Sequence, residues 1–302
     1  METLRPALNV DAPLVRKKRS ALAKATKPSS AVVTAARRLN RAAGTIATSV
    51  LIDSAMEHYR GGFRNKAMWT PLLTSSLSIA VSVHGISDKR HGAHPARDAV
   101  YAAAGIVGLI GTGFHLYNVT KKVGGFDWQN LFYSAPLGAP AAMSLAGLMG
   151  FLAERVRDND PEDEPKVFGL PAGRLTAAVT AVSLLGTTAE AGFLHFRGAF
   201  HNPAMLLPVT MPPVAAAMLG AAATGDAGAE RRLSRGIVAA TAVMGVVGVA
   251  LHAYGVSRGS GGWRNWRQTM LAGPPLPAPP SFTGLALAGL AALALLKEHA
   301  DE

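Results

Sequence analysis

Six long stretches of the sequence contain no aspartate, glutamate, lysine or arginine, and they limit the possible folds more than any other feature. Each stretch holds 21 or more residues. At about 1.5 Å per helical residue, that length crosses a hydrocarbon core of about 30 Å. The stretches lie between Lys66 and Asp88, Asp98 and Lys121, Asp127 and Glu154, Arg197 and Asp226, Arg235 and Arg258, and Arg267 and Lys297. An ordinary soluble chain is therefore excluded.

Two further segments complete the set of predicted spans. Residues 42–59 are apolar apart from Asp53 and Glu57, and residues 175–196 are apolar apart from Glu190. The sequence therefore predicts an all-α polytopic membrane protein with eight transmembrane helices. The chain has no cysteine, which excludes disulfides, thiolate metal sites and covalently attached c-type haem. Any metal or redox centre must use histidine or oxygen ligands.

The first 41 residues carry ten cations and two anions. Basic segments beside a membrane bind anionic headgroups, so we expect residues 1–41 to be a disordered or surface-bound tail on the lipid bilayer, and we expect no nucleic-acid partner. If successive loops lie on opposite sides of the membrane, 21 of the 30 lysines and arginines are on the same side as the termini. The positive-inside rule then predicts a multi-pass protein of the cell inner membrane with both termini in the cytoplasm.

The sequence is also internally repeated. His58 begins the run HYRGGFRNKAM, and His195 begins the related run HFRGAFHNPAM. The spacing repeats as well, because 57 residues separate His58 from His115 and 57 separate His195 from His252. We therefore predict two tandem four-helix halves, related by an axis along the membrane normal. The halves are residues 42–157 and 171–298, joined by an acidic linker at 158–170 and followed by a short tail at 299–302.

The four repeated histidines end the odd-numbered predicted helices, which places them at one depth on the non-cytoplasmic side. Imidazole is an axial ligand of haem iron and also binds copper, zinc and non-haem iron. Haem b fits the surroundings best, because glycines one turn earlier leave room for a flat group and arginines can meet its propionates. The predicted metal ligands are His58, His115, His195 and His252, with Arg60, Arg197, Gly111 and Gly248 as further cofactor contacts.

Two points about this site stay open at the level of sequence. The histidines can pair within each half or across the halves. They can also be structural hydrogen-bond donors, in which case the glycines serve close helix packing.

The intramembrane acids Asp53, Glu57 and Glu190 form a second set of candidates, because charge in a span is costly. Asp53 and Glu190 each lie five residues before a repeated histidine. They either make helix–helix hydrogen bonds or carry protons.

Three functions are consistent with these features. The first is a haem-bearing electron-transfer subunit that links a non-cytoplasmic redox partner to quinone. The alternatives are a proton-coupled anion transporter or ligand-binding module that uses Asp53 and Glu190, and a membrane scaffold or assembly factor. Motifs of zinc proteases and of serine hydrolases are missing, and the sequence leaves open whether the chain is an enzyme.

Overall fold

The structure is a computed structural model that describes residues 31–133, 136–160, 163–225 and 231–298. Residues 1–30 of the predicted basic tail, residues 161 and 162 of the predicted linker and the predicted tail 299–302 lie outside the described residues. The first helix begins at Ala31, so the end of the segment predicted as a tail is helical.

The described residues form eight helices of 18 or more residues and two short ones. The long helices are α1 (Ala31–Arg60), α2 (Thr70–Ser87), α3 (Pro95–Thr120), α5 (Gly138–Arg157), α6 (Ala172–Arg197), α7 (Leu207–Thr224), α8 (Arg231–Arg258) and α10 (Pro280–Glu298). The short helices are α4 (Trp128–Tyr133) and α9 (Trp266–Ala272). Single 3₁₀ turns occupy Lys66–Trp69, Pro203–Leu206 and Gly262–Asn265, and an antiparallel hairpin pairs Lys166–Val167 with Leu170–Pro171.

The long helices pack as two rings of four. In the first ring α1 contacts α2 and α5, and α3 contacts the same two helices. In the second ring α6 and α8 both contact α7 and α10. Helices α1 and α3 are therefore diagonal partners, as are α6 and α8. The contact between α1 and α10 joins the two rings.

Four of the helices are long and apolar enough to cross a membrane: Pro95–Thr120, Ala172–Arg197, Pro203–Thr224 and Arg232–Arg258. The outward faces of these helices are apolar, since Leu109 and Val182 are 68% and 71% exposed. Hydroxyl side chains such as Thr180 and Thr241 are instead fully buried. In a soluble protein, large apolar side chains are mostly buried and hydroxyl side chains are mostly exposed. The chain therefore has the character of a helical membrane protein.

Two of the stretches without charge are interrupted where the sequence predicted single spans. The stretch after Asp127 forms α4 and then α5, and the stretch after Arg267 forms α9 and then α10. Prolines lie at both breaks, with Pro136 before α5 and four prolines from Pro274 to Pro279 before α10. Proline lacks the backbone N–H that a helix interior needs and disfavours helical geometry in the preceding residue. The breaks keep α5 and α10 shorter than the stretches that contain them.

A cluster of buried charges, which the sequence analysis did not identify, lies where α2 ends, α3 begins and α5 ends. The side chains of Arg97, Glu154 and Arg157 have no exposure to solvent. Arg97 donates hydrogen bonds to Glu154 (2.8 Å) and to Asp88 (2.9 Å). Arg157 donates to the backbone carbonyls of Gly85, Asp88 and Arg90 at 2.9–3.0 Å. We call Asp88, Arg97, Glu154 and Arg157 the charge clamp.

Asp88 is the member of the charge clamp that follows the end of α2. Burial raises the pKa of Asp88, but hydrogen bonds from Arg97 and Arg90 outweigh burial and hold the pKa well below its usual value. A carboxylate with a lowered pKa stabilises the fold above its usual pKa, and this contribution is lost only as the pH falls through the lowered value. The contribution of Asp88 is therefore constant through the neutral range.

Removing one member of the charge clamp leaves the opposite charge buried without its partner. We expect Glu154→Ala to lower the free energy of unfolding by about 3–5 kcal/mol, the cost typical of a broken buried ion pair. The matched control is Arg60→Ala, which removes a half-exposed pair with Glu57 (2.8 Å) and should cost less than about 1 kcal/mol. Unfolding of the detergent-solubilised protein by a denaturing detergent measures both. Equal losses in the two variants would contradict the role given to the clamp.

Candidate functional site

Each of the four repeated histidines lies in one of the last two turns of its helix and bonds to a backbone carbonyl in a later segment. The Nδ1 atoms of His58, His195 and His252 lie 2.6, 3.0 and 2.7 Å from the carbonyl oxygens of Met68, Met205 and Pro275. His115 Nδ1 makes the same contact with the carbonyl of Pro136. A carbonyl oxygen only accepts hydrogen bonds, so each Nδ1 carries the proton and donates it. In the neutral imidazole, Nε2 then carries a lone pair of electrons that can bind a metal ion.

The loops after α1 and α6 explain how the sequence places those carbonyls. In each loop an asparagine, Asn65 or Asn202, caps a 3₁₀ turn by accepting a hydrogen bond from the backbone two residues later at 2.9 Å. A phenylalanine with φ of 46°, Phe63 or Phe200, reverses the chain before the asparagine. Its backbone N–H returns to the carbonyl of the histidine at 3.0 or 3.1 Å. The histidine motif therefore encodes a loop that fixes the orientation of its own imidazole.

Two of the four histidines are neighbours inside the second ring of helices. The ring centroids of His195 and His252 are 6.4 Å apart, with the ring planes at 77°. These residues come from the diagonal helices α6 and α8, so the pair lies across the interior of the second ring. Of the two pairings that the sequence left open, the contact of His195 with His252 is of the kind within one four-helix group, and the pairing of His58 with His115 stays a prediction.

Each ring of helices has one end that carries its histidines. These two ends lie side by side, and together we call them the histidine end. Arg267 Nη2 of α9 donates to the Tyr59 hydroxyl of α1 at 2.6 Å. The Trp128 ring of α4 lies 5.7 Å from that of Phe193 in α6. All four tryptophans, Trp69, Trp128, Trp263 and Trp266, are about half exposed at this end. The histidine-bearing ends of the two rings therefore form one aromatic layer.

The two arginines predicted as cofactor contacts lie in the same layer and have partners of their own. Arg60 pairs with Glu57 at 2.8 Å. The guanidinium of Arg197 lies over the ring of Tyr133, 4.6 Å from its centroid. Both are exposed surface residues, and their contact with a cofactor stays a prediction.

The predicted glycines lie against neighbouring helices. A Cβ on Gly111 would be 3.1 Å from Pro140 Cβ, and a Cβ on Gly248 would be 2.8 Å from Pro279 Cβ. One turn earlier, Gly108 packs on the backbone of α5 at Ser144, and Gly245 packs on α10 at Thr283. These glycines let α3 approach α5 and α8 approach α10, which is the structural alternative left open by the sequence. Room for a cofactor at Gly111 and Gly248 stays a prediction.

The three intramembrane acids lie near one another below the histidine end. Asp53 is close enough to Glu57 and Glu190 to be repelled by both of their charges. The Glu190 carboxylate lies against Gly138, the first residue of α5. This contact links the second ring to the first.

The sequence analysis missed a line of hydroxyl side chains that leads along α6 to Glu190. Thr176, Thr180, Ser183 and Thr187 follow one another at intervals of four, three and four residues. Such intervals put side chains on one face of a helix, so the spacing was a readable signal. The Oγ1 atoms of Thr176 and Thr180 are buried without a hydrogen-bond partner among the described residues.

Among the described residues there is no group of three or more histidines, cysteines or carboxylates that could hold a metal ion. A bare zinc or copper ion requires at least three protein ligands in most sites. Haem iron requires only one or two, because the porphyrin supplies four nitrogens. Pairs of histidines are therefore better suited to haem than to a bare ion.

The helix contacts of the glycines can be tested within α3. A Cβ on Gly108 would overlap the backbone of Ser144, whereas a Cβ on Gly105 would meet nothing within 4 Å. We expect Gly108→Ala to lower the free energy of unfolding by about 1–3 kcal/mol through overpacking. The control Gly105→Ala should be neutral or stabilise by up to about 1 kcal/mol, because alanine favours the helix. Unfolding in a denaturing detergent distinguishes them, and a neutral Gly108→Ala would contradict the close packing of α3 on α5.

Comparisons with known proteins add no identification. No family model matches the chain, and neither a curated protein nor a solved structure matches it. The function therefore has to be argued from the geometry of its own side chains.

Proposed function

We propose that this protein is an electron-transfer subunit of the cell inner membrane that binds b-type haem between paired histidines. The observation that carries the proposal is the pair His195 and His252. Their rings lie 6.4 Å apart, edge to face, inside the second ring of helices, and each donates its Nδ1–H to a backbone carbonyl. Ligating histidines in proteins almost always donate their second nitrogen in this way, which fixes the ring and raises its basicity.

The spacing of the pair fits a single iron between two imidazoles. An iron ion that bound both imidazoles through bonds of about 2 Å would hold their centroids about 6 Å apart. The centroids of His195 and His252 are separated by 6.4 Å. By contrast, the centroids of His84 and His94 at the opposite end are 5.0 Å apart, which is too close for this arrangement. We assign the second haem to His58 and His115.

The proposal includes eight spans arranged as two tandem four-helix halves. Supporting the repeat, the histidine-to-methionine hydrogen bonds after α1 and α6 are alike. The bond from Ser144 Oγ to the Gly105 carbonyl (3.2 Å) is matched by the bond from Thr283 Oγ1 to the Ala242 carbonyl (2.8 Å). Supporting eight spans, α1, α2, α5 and α10 complete the same two rings as the four apolar helices.

The residues of this chain would bind and orient the cofactor and limit its contact with water. The Nδ1–H bonds hold the imidazoles in place, and Arg60 and Arg197 would supply positive charge for the propionates. The bound haem would supply one-electron oxidation and reduction of its iron.

The partners follow from the surface at the histidine end. Exposed tryptophans and cations, among them Arg60, Lys66 and Arg267, suit a redox partner with an acidic docking face outside the cytoplasm. Quinone is the electron carrier that the bilayer supplies beside this layer.

The haem proposal predicts an absorption spectrum. Detergent-purified protein from haem-replete cells should show a Soret band, and extraction should give two haems per chain. His252→Ala should retain one haem, since it removes a ligand from one pair only. The control is His201→Ala, because His201 bonds only within its own loop, to the Gly198 carbonyl at 2.9 Å. A colourless wild-type protein would refute the proposal, as would equal haem contents in wild type and His252→Ala.

The orientation predicts which loops face the cytoplasm. Because the chain has no cysteine, single cysteines can be introduced without background labelling. A membrane-impermeant maleimide should label Ser260→Cys at the histidine end in intact cells. The matched exposed site at the opposite end, Lys89→Cys, should be labelled only after permeabilisation. The reverse pattern would overturn the placement of the termini in the cytoplasm.

A further inference from the structure

A cleft with a volume of about 400 Å³ lies where the two rings of helices join. Thr45, Thr48, Ser49 and Ile52 of α1 form one wall, and Val249 of α8 and the segment that leads into α10 complete the lining. We call it the inter-ring cleft. Sites for small molecules have volumes of about 300–1,000 Å³ and are mainly apolar, with a few polar groups. The inter-ring cleft has this size, and most of its lining is apolar.

The inter-ring cleft is open on the side of the bilayer. Ile52 is 45% exposed, and Thr48 is exposed as well. Both residues belong to a proposed span, so the medium that they meet is lipid. A molecule dissolved in the bilayer can therefore enter the cleft from the side without passing through water.

The wall that α1 contributes differs from the same face of α6. Taking the two histidine motifs as equivalent, Thr45 and Thr48 correspond to Val182 and Leu185. These two apolar side chains are 71% and 51% exposed, as expected of a face that only contacts lipid. Hydroxyls gain nothing from lipid tails. Contact with lipid therefore does not explain why α1 carries hydroxyls here.

One hydroxyl in the inter-ring cleft is available to a ligand. Ser49 donates to the Pro277 carbonyl, and Thr48 donates to the Gly44 carbonyl at 2.8 Å. Thr45 is half-buried, and its hydroxyl has no hydrogen-bond partner among the described residues. Lipid tails cannot supply a partner. The Thr45 hydroxyl can therefore donate its proton to a carbonyl oxygen of a bound molecule.

The inter-ring cleft also lies beside the histidine pair of the second ring. Val249 precedes His252 by three residues, which is about 4.5 Å along α8. Pro277 follows Pro275 by two residues, and the Pro275 carbonyl accepts the hydrogen bond from His252. The helix and the segment that hold this imidazole therefore line the cleft as well.

We infer that the inter-ring cleft binds the ring of a membrane quinone, with the Thr45 hydroxyl donating a hydrogen bond to a quinone carbonyl. The inference rests on the proposed function, since it names the site where the quinone of that proposal binds. A quinone ring is flat and apolar and carries a carbonyl oxygen at each of two opposite edges, which suits an apolar cleft with few hydroxyls. Its isoprenoid tail extends through the open side into lipid. A saturated acyl chain, in contrast, has no acceptor for Thr45.

Photolabelling locates the quinone on the full chain. Detergent-solubilised protein is illuminated in the presence of an azidoquinone, and the labelled peptides are identified by mass spectrometry. The label should fall within residues 45–52 or 276–280, which line the cleft. Excess decylubiquinone should prevent labelling. The same excess of a saturated fatty acid should not, because its acyl chain cannot accept a hydrogen bond from Thr45.

The hydrogen bond is tested by Thr45→Val. The concentration of decylubiquinone that halves labelling should rise by roughly threefold to tenfold, as expected for the loss of one hydrogen bond. The matched control is Thr74→Val in α2. Thr74 is also half-buried, but it lies outside the cleft and donates to the Thr70 carbonyl at 2.8 Å. Its variant should behave like the wild type.

The cavity itself is tested by Ile52→Trp. The indole should occupy the volume that the quinone ring needs and reduce labelling by roughly tenfold or more. Ile106→Trp is the control, because Ile106 is 57% exposed on α3 and lies outside the cleft. Monodisperse elution and an unchanged circular dichroism spectrum show that each variant is folded.

Three results would overturn the inference: label outside the cleft, equal competition by the fatty acid, or unchanged competition in Thr45→Val. The absorption spectrum of the same preparation reports haem separately. Colourless protein with competed label in the cleft refutes the haem proposal and leaves the quinone site in place. Protein that holds haem but shows no competed label refutes the quinone site alone.

Discussion

A polar group inside a bilayer has no water to bond with, so its partner must come from the protein, and this constraint organises the structure. Helices satisfy their own backbones, which explains why the described chain is almost entirely helical. Side chains follow the same requirement. The guanidinium groups of Arg97 and Arg157 are paired with carboxylates and carbonyls at one end. At the histidine end, the imidazoles donate hydrogen bonds to backbone carbonyls of the segments that follow their helices.

At the histidine end, the fold fixes the orientation of each imidazole and leaves one of its nitrogens able to bind a ligand. A histidine that only caps a helix commits its ring nitrogens to structure, whereas here one nitrogen of each ring is held by the fold and the second stays available. Because the rings of His195 and His252 project from diagonal helices, their separation is set by the width of the four-helix ring. The glycines that bring α3 to α5 and α8 to α10 set that width. The packing of the bundle and the geometry of the proposed haem site thus depend on the same contacts.

Sequence patterns predicted the parts of the fold that depend on neighbours along the chain. The six charge-free stretches and the apolar segment 175–196 together contain seven of the eight long helices, wholly or in part. The repeated motifs at His58 and His195 predicted equivalent positions at helix ends. The contacts of Arg97 with Glu154 could not be predicted, because 57 residues separate them and nothing local in the sequence joins them. The unpartnered hydroxyls of Thr176 and Thr180 in α6 belong with the predictable features, since their helical spacing is visible in the sequence.

The sequence by itself determined that the chain forms long apolar helices, and that its histidines and acids lie near the ends that bear tryptophans. Hydrophobic length and periodicity act locally, so they can be read from the order of residues. The tertiary structure decided that His195 faces His252 within one ring, that Gly111 meets Pro140, and that Glu190 reaches the first turn of α5. These are contacts between distant segments, and they depend on which helices are neighbours.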